Sequence, residues 1–204
     1  MGEEALATGA EGASFRDEDW YGAQVGAVRF VGCSFSDVDL TEVTTNGTVF
    51  EDCSFQLCRF NASTHEASAF VGCDFRRTSF FDATLDGCKL TGSSFAECTL
   101  RPLKVVGGQW RAVSLRGADL SGLDLTGLDL READLAMAKL VGTCLAGAQL
   151  ESVSFREADL TDADLRRATL HGADLASARL KKTRVDLAGA VLLAESLGAD
   201  VDPA

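Results

Sequence analysis

From Phe15 to Val185 every fifth residue is large and apolar, and the phase never slips. Of these 35 positions, 17 are Leu, 11 Phe, three Val and two Trp; only Thr45 and His65 depart. A helix buries side chains with a period near 3.6 and a strand with a period of 2, so neither alone accounts for a period of five. A fixed repeat over most of a chain marks a solenoid, in which each unit packs on its neighbours. A second slot lies two residues before each large one and takes small side chains. Cys33, Cys53, Cys58, Cys73, Cys88 and Cys98 occupy it early in the chain, and Ala118, Ala133, Ala148, Ala158, Ala163, Ala168, Ala173 and Ala178 later. The two slots form the inward pair of each unit. The other three residues face outward, with Asp or Ser common just before the large residue and Gly two after it.

Ala118-Asp119-Leu120-Ser121-Gly122 and Ala173-Asp174-Leu175-Ala176-Ser177 display the unit plainly. They resemble the A-(D/N)-L-x-x pattern of pentapeptide-repeat proteins. That resemblance implies an all-β fold, a right-handed quadrilateral β-helix with four units per coil. Residues 20 apart then stack at about 4.8 Å, which gives about 8.75 coils and a rod of roughly 42 Å. Phe15, Phe35, Phe55, Phe75 and Phe95 form one ladder and Phe30, Phe50 and Phe70 another. The N-terminal half packs Phe over Cys, Ser or Val, the C-terminal half Leu over Ala, and both are dry cores.

Two places break the regularity. Thr45 and His65 stack in a column otherwise made of Val25, Leu85, Val105 and Leu125, where a local distortion or a water is expected. Arg101-Pro102-Leu103-Lys104 reads as an irregular coil near 101–112 with the phase intact, since Pro favours an edge or bulge. The chain divides into a flexible segment at 1–13, the repeat at 14–185, and a C-terminal module at 186–204. In that module Asp186 is a helix N-cap, Leu187 to Leu197 a helix, and Gly198 its C′ residue. A three-turn helix this apolar calls for burial, against the last coil or a second copy. Leu187, Ala190, Val191, Leu193, Ala194 and Leu197 are the candidate dimer interface.

Composition narrows the function classes. The net charge of −12 disfavours a direct grip on nucleic-acid phosphates. No run of 18 apolar residues argues for a membrane span, and Met1 to Ala13 lacks a secretory pattern, so a cytoplasmic protein with reduced thiols is expected. The regular slot explains the cysteines without a metal, and no cofactor motif is evident. His65 and His171 lie in different columns and the carboxylates sit on outward positions, so an enzyme is not expected. Thr44, Thr64 and Thr84 stack outward, but Lys104 and Asp124 end that column, which argues against an ice-binding grid.

The run from Val185 to Gly198 resembles the C-terminal helix of the MfpA/Qnr fluoroquinolone-resistance type, and Phe15-Arg16-Asp17-Glu18-Asp19 and Leu100-Arg101-Pro102-Leu103 resemble its MfpA branch. The resemblance implies a C-terminally joined homodimer that mimics duplex DNA and binds DNA gyrase. It leaves open inhibition or protection from drugs that trap cleaved DNA. Because no insertion breaks the phase, the long loops of many Qnr proteins are absent. Charge bears on mimicry separately. Residues 15–54 carry Asp17, Glu18, Asp19, Asp37, Asp39, Glu42, Glu51 and Asp52 against Arg16 and Arg29. That is a net −6 over about 9.6 Å, roughly one charge per 1.6 Å, close to the 1.7 Å of duplex DNA. Arg76, Arg77, Arg101, Arg111 and Arg116 nearly balance the middle, while Arg179, Lys181, Lys182 and Arg184 make the last coil basic. A generic protein-binding scaffold would share all these features without acting on gyrase.

Overall fold

The computed structural model describes residues 2–202. Side chains 20 apart lie in register as the period requires: Phe15 faces Phe35, Phe35 faces Phe55, and Phe55 faces Phe75 across parallel pairs. The ladder runs from Ala10 opposite Phe30 to Asp164 opposite Arg184. Four walls result, numbered here from their first large residues Phe15, Trp20, Val25 and Phe30. Wall one contains the strands Ser14–Arg16, Ser34–Ser36, Ser54–Gln56, Asp74–Arg76 and Ser94–Ala96. Past residue 110 the pairing narrows to single bridges joined by tight turns.

Each wall ends in a turn whose sharp residue lies two after the large one. From residue 17 to residue 182, eighteen non-glycine residues and thirteen glycines hold positive φ at this position, and only Ala27, Pro102 and Ser177 depart. Inside, stacking is at ladder spacing. Phe35 and Phe55 have centroids 4.6 Å apart at 7°, Phe50 and Phe70 4.9 Å apart at 3°. Across corners the rings meet edge to face, as Phe30 and Phe35 do at 5.8 Å and 70°, so both favoured aromatic geometries coexist.

The small slot does more than fill space. In the N-terminal half its thiol or hydroxyl donates to the carbonyl of a large residue one coil below. Cys53 Sγ reaches Phe30 O at 3.4 Å, Thr78 Oγ1 reaches Phe55 O at 3.2 Å, and Ser93 Oγ reaches Phe70 O at 2.8 Å. In the tight turns further along, the slot residue's own amide takes that role: Ala138 N donates to Leu135 O at 3.1 Å and Ala158 N to Phe155 O at 2.9 Å. Alanine suffices there, because a buried carbonyl needs one donor and the backbone supplies it. Burial comes first in pushing the thiols of Cys58, Cys88 and Cys98 up to about 11.

Two expectations need correction. Residues Gly2–Thr8 form a helix, α1, and Ala10–Glu11 pairs with Arg29–Val31, so the segment expected to be flexible is structured. Ala5 and Leu6 pack on the core, which covers apolar surface that the first coil would otherwise expose. Thr45 and His65 cause no distortion: both pair in register, and His65 is satisfied by side chains without a water. The coil at 101–112 keeps its phase, with Leu85 opposite Val105, despite a cis Arg101–Pro102 bond.

The second helix, α2 (Leu187–Ser196), closes the other end. Asp186 Oδ1 accepts from Gly189 N and its Oδ2 from Arg167 N, at 2.9 and 2.8 Å, tying the cap to the preceding coil. Gly189 is buried beside Leu170, and Leu192 and Leu193 pack on the core. Among the described residues no helix is long and apolar enough to cross a membrane.

Candidate functional site

The carboxylates of the first two coils occupy four kinds of position, Glu51 alone standing on a strand just after a large residue, Phe50. Asp17, Asp37, Glu42 and Asp52 sit on turn residues with φ between 51° and 57°, a conformation Asp tolerates better than most side chains. Asp19 and Asp39 bridge one another on wall two, each accepting from the amide two residues on, Tyr21 N and Thr41 N, at 3.0 Å. Glu18 differs from the outward placement expected for it: it occupies the inward small slot of the first coil, where it is half-buried.

The eight acids therefore do not form one surface. Asp17, Asp19, Asp37, Asp39 and Glu42 gather on wall two and its flanking corners. Glu51 and Asp52 stand at the corner between walls four and one, diagonally opposite Glu42. Pairing divides them again. Glu51 meets Arg29, and Asp39 meets Arg59 at 3.0 Å. Burial opposes ionisation of Asp39, but hydrogen bonds from Thr41 and Arg59 outweigh it and hold its carboxyl below the usual range. Asp17, Asp19, Asp37 and Glu42 form no ion pair among the described residues. Less Arg16, which stands beside Asp17 and is likewise in no ion pair, they leave three net charges over about 9.6 Å, one per roughly 3.2 Å, close to the single-strand value of about 3.4 Å.

Further along the rod, charges are matched in pairs. Arg77 meets Glu97 at 3.0 Å, Arg101 meets Asp119 at 3.2 Å, and Arg131 meets Asp129 at 2.7 Å. The hydrogen bond from Arg166 holds the Asp164 carboxyl down at about 2. The net negative field thus concentrates at the end nearest α1. Among the described residues no cluster of three His, Cys, Asp or Glu could hold a metal ion.

The second candidate region is α2, whose apolar residues divide between two faces. Leu193 belongs to the face on the coil, whereas Leu187 and Leu197 stand 83% and 64% exposed, with Ala190 exposed and Val191 and Ala194 half-buried beside them. A helix apolar on both faces is usually covered on both.

Sequence reasoning missed Tyr21, Leu57 and Phe81, all exposed. They occupy turn positions outside the period of five, so the repeat carried no signal for them.

Comparison with known proteins agrees with this geometry. The model for pentapeptide repeats matches eight copies over residues 66–96, 111–145 and 143–181, together half of the chain. No curated protein matches. Among solved structures, full-length QnrB1, a plasmid-mediated fluoroquinolone resistance protein, is 18% identical, covering 93% of this chain and 99% of that one with a TM-score of 0.48. HetL, a pentapeptide repeat protein involved in heterocyst differentiation regulation from the cyanobacterium Nostoc, is 24% identical over 85% of each chain, with a TM-score of 0.35.

Proposed function

Because the chain belongs to the pentapeptide-repeat family, we propose that it is a binding rod whose N-terminal carboxylates take the place of DNA phosphates on DNA gyrase, inhibiting the enzyme or protecting it from drugs that trap cleaved DNA. The observation that carries this reading is the group of unpaired acids, Asp17, Asp19, Asp37 and Glu42, held on a rigid wall near the spacing of nucleic-acid charge. Turn and ladder geometry fixes their backbone, so little conformational freedom is lost on binding, unlike acids on a loose tail. The resemblance of the chain's two ends and its Leu100–Leu103 segment to the MfpA/Qnr type points to gyrase rather than another basic partner.

The variant Asp17→Asn/Asp19→Asn/Asp37→Asn/Glu42→Gln keeps the turn chemistry and removes four charges. In a supercoiling assay with purified gyrase, about tenfold more of it is expected to be needed for half-inhibition, with a flatter dependence on salt. Equal potency of variant and parent would overturn the reading. A generic scaffold would leave supercoiling untouched by either protein.

The reading includes a dimer joined through the open face of α2, which places the acidic ends roughly 80–100 Å apart, two rods plus the joint. Charging that face by Leu187→Glu/Leu197→Glu is expected to halve the mass measured by light scattering without changing the circular dichroism spectrum. A parent protein that is already monomeric would remove the dimer.

A further inference from the structure

We infer that wall two is the face that grips the partner, through exposed apolar side chains as well as acids. The inference rests on the partner-binding reading above and deepens it. Among the described residues, six large apolar side chains of the rod are exposed: Tyr21, Leu57, Phe81, Val106, Met137 and Val141. Five of them border wall two. Tyr21, Phe81 and Val141 fall in the corner column between walls two and three, three coils apart each time, about 14 Å. Leu57 and Met137 fall in the opposite corner column, between walls one and two. Only Val106 lies elsewhere.

These positions are not forced by the fold. The column of Tyr21 and Phe81 holds Thr41 and Asn61 between them, so polar residues fit the same turn. Leu57 adopts φ 58° while 41% exposed, although glycine serves at that turn position in many other units. Its side chain stands largely outside the core and holds a left-handed backbone conformation that disfavours side chains. Tyr21 and Phe81 are 57% and 52% exposed. Contacts to solvent do not account for three such residues beside a cluster of unpaired acids.

The combination specifies the partner's chemistry. A phosphate-binding groove alone calls for charge; a wall that carries Asp17, Asp19, Asp37 and Glu42 with Tyr21 among them, and Leu57 and Phe81 one and two coils further on, calls for a basic protein surface carrying apolar side chains. Aromatic side chains are enriched where protein interfaces hold most of their energy. Hydrogen bonding to Glu42 and its charge push the Tyr21 phenol up, so the two kinds of group are neighbours. Association then has two parts, one that salt screens and one that it does not.

The test uses Tyr21→Thr/Leu57→Asn/Phe81→Thr, with Thr already present in the Tyr21 column at Thr41 and Asn tolerant of the positive φ at residue 57, and Val71→Thr/Val106→Thr as a control on other corners. Immobilised gyrase is the probe. The triple variant is expected to bind at least tenfold more weakly, with the loss persisting at high salt, while the control binds like the parent. Thermal melts establish that each variant is folded, and Leu57→Asn alone serves should the triple variant melt early. Unchanged binding by the triple variant, or an equal loss in the control, overturns the inference and leaves the acidic reading standing. Failure of the parent itself to bind gyrase overturns both.

Discussion

Gly108→Ala is expected to lower stability by about 3 kcal/mol or more, read as a shift in the urea midpoint of circular dichroism. Gly108 occupies the small slot of wall four, between Cys88 and Leu128, with φ 116°. A Cβ built there would stand 2.4 Å from Cys88 O and 3.3 Å from Cys88 N. That carbonyl is not free to move, because it accepts the Gln109 amide at 3.0 Å within the ladder. The methyl group therefore costs both backbone strain, about 1–3 kcal/mol, and a buried hydrogen bond, about 1 kcal/mol or more. Elsewhere the same slot takes Thr, Ser, Cys or Ala readily. An alanine variant with the parental midpoint would mean that the strands here can separate, contrary to the close approach described.

The second large effect is with pH. His65 is fully buried, and burial lowers its pKa from 6.5 to about 3. Its partners fix the neutral form. Ser63 Oγ donates to Phe60 O at 2.7 Å, so at 2.9 Å His65 Nε2 donates to Ser63, and Nδ1 accepts from Thr45 Oγ1 at 2.8 Å. Between pH 6.5 and pH 3 the unfolded chain binds a proton that the folded chain refuses. Stability is complete above pH 6.5 and falls as pH drops, by at most about 1.4 kcal/mol per unit, or roughly 3 kcal/mol by pH 4. Thr45→Val/His65→Leu matches the Val25 and Leu85 of the same column. It leaves Ser63 and Ser68 with carbonyl partners, since Ser68 Oγ also reaches Glu66 O at 3.0 Å. The double variant is expected to lose about 3 kcal/mol less than the parent between pH 7.5 and pH 4, the remaining loss coming from carboxylates such as Asp39 and Asp164 that the fold holds ionised. A variant and parent that lose stability in parallel over that interval would show that His65 is not the titrating group.

How much of this was legible beforehand depends on which slot a residue occupies. The large and small slots carry the period, so the coil length, the Phe ladders and the register across Pro102 follow from counting. Hydrogen bonding inside the small slot does not. Cys53 and Ala138 look equivalent as small apolar residues, yet one caps a carbonyl in the neighbouring coil and the other stands where the backbone does so itself. The His65 network was hidden for a related reason: Ser63, Thr45 and Ser68 are ordinary slot residues until the coil brings them around one ring. At the acidic end, counting charges along the chain grouped Glu18, Glu51 and Asp52 with the rest. Placement on four walls separates them, because a change of one or two positions in sequence is a change of face. Residues 2–9 lie outside the repeat phase, and their packing onto the first coil left no periodic trace.

The 20-residue register makes the rod a ruler with a built-in angle. Removing a whole coil from its middle would bring the acidic wall and the open face of α2 closer by about 4.8 Å without turning one against the other. Loss of a single five-residue unit would instead rotate everything beyond it by a quarter turn. Length can therefore be changed without azimuth, and a lineage that needs the azimuth kept can only gain or shed material in steps of 20.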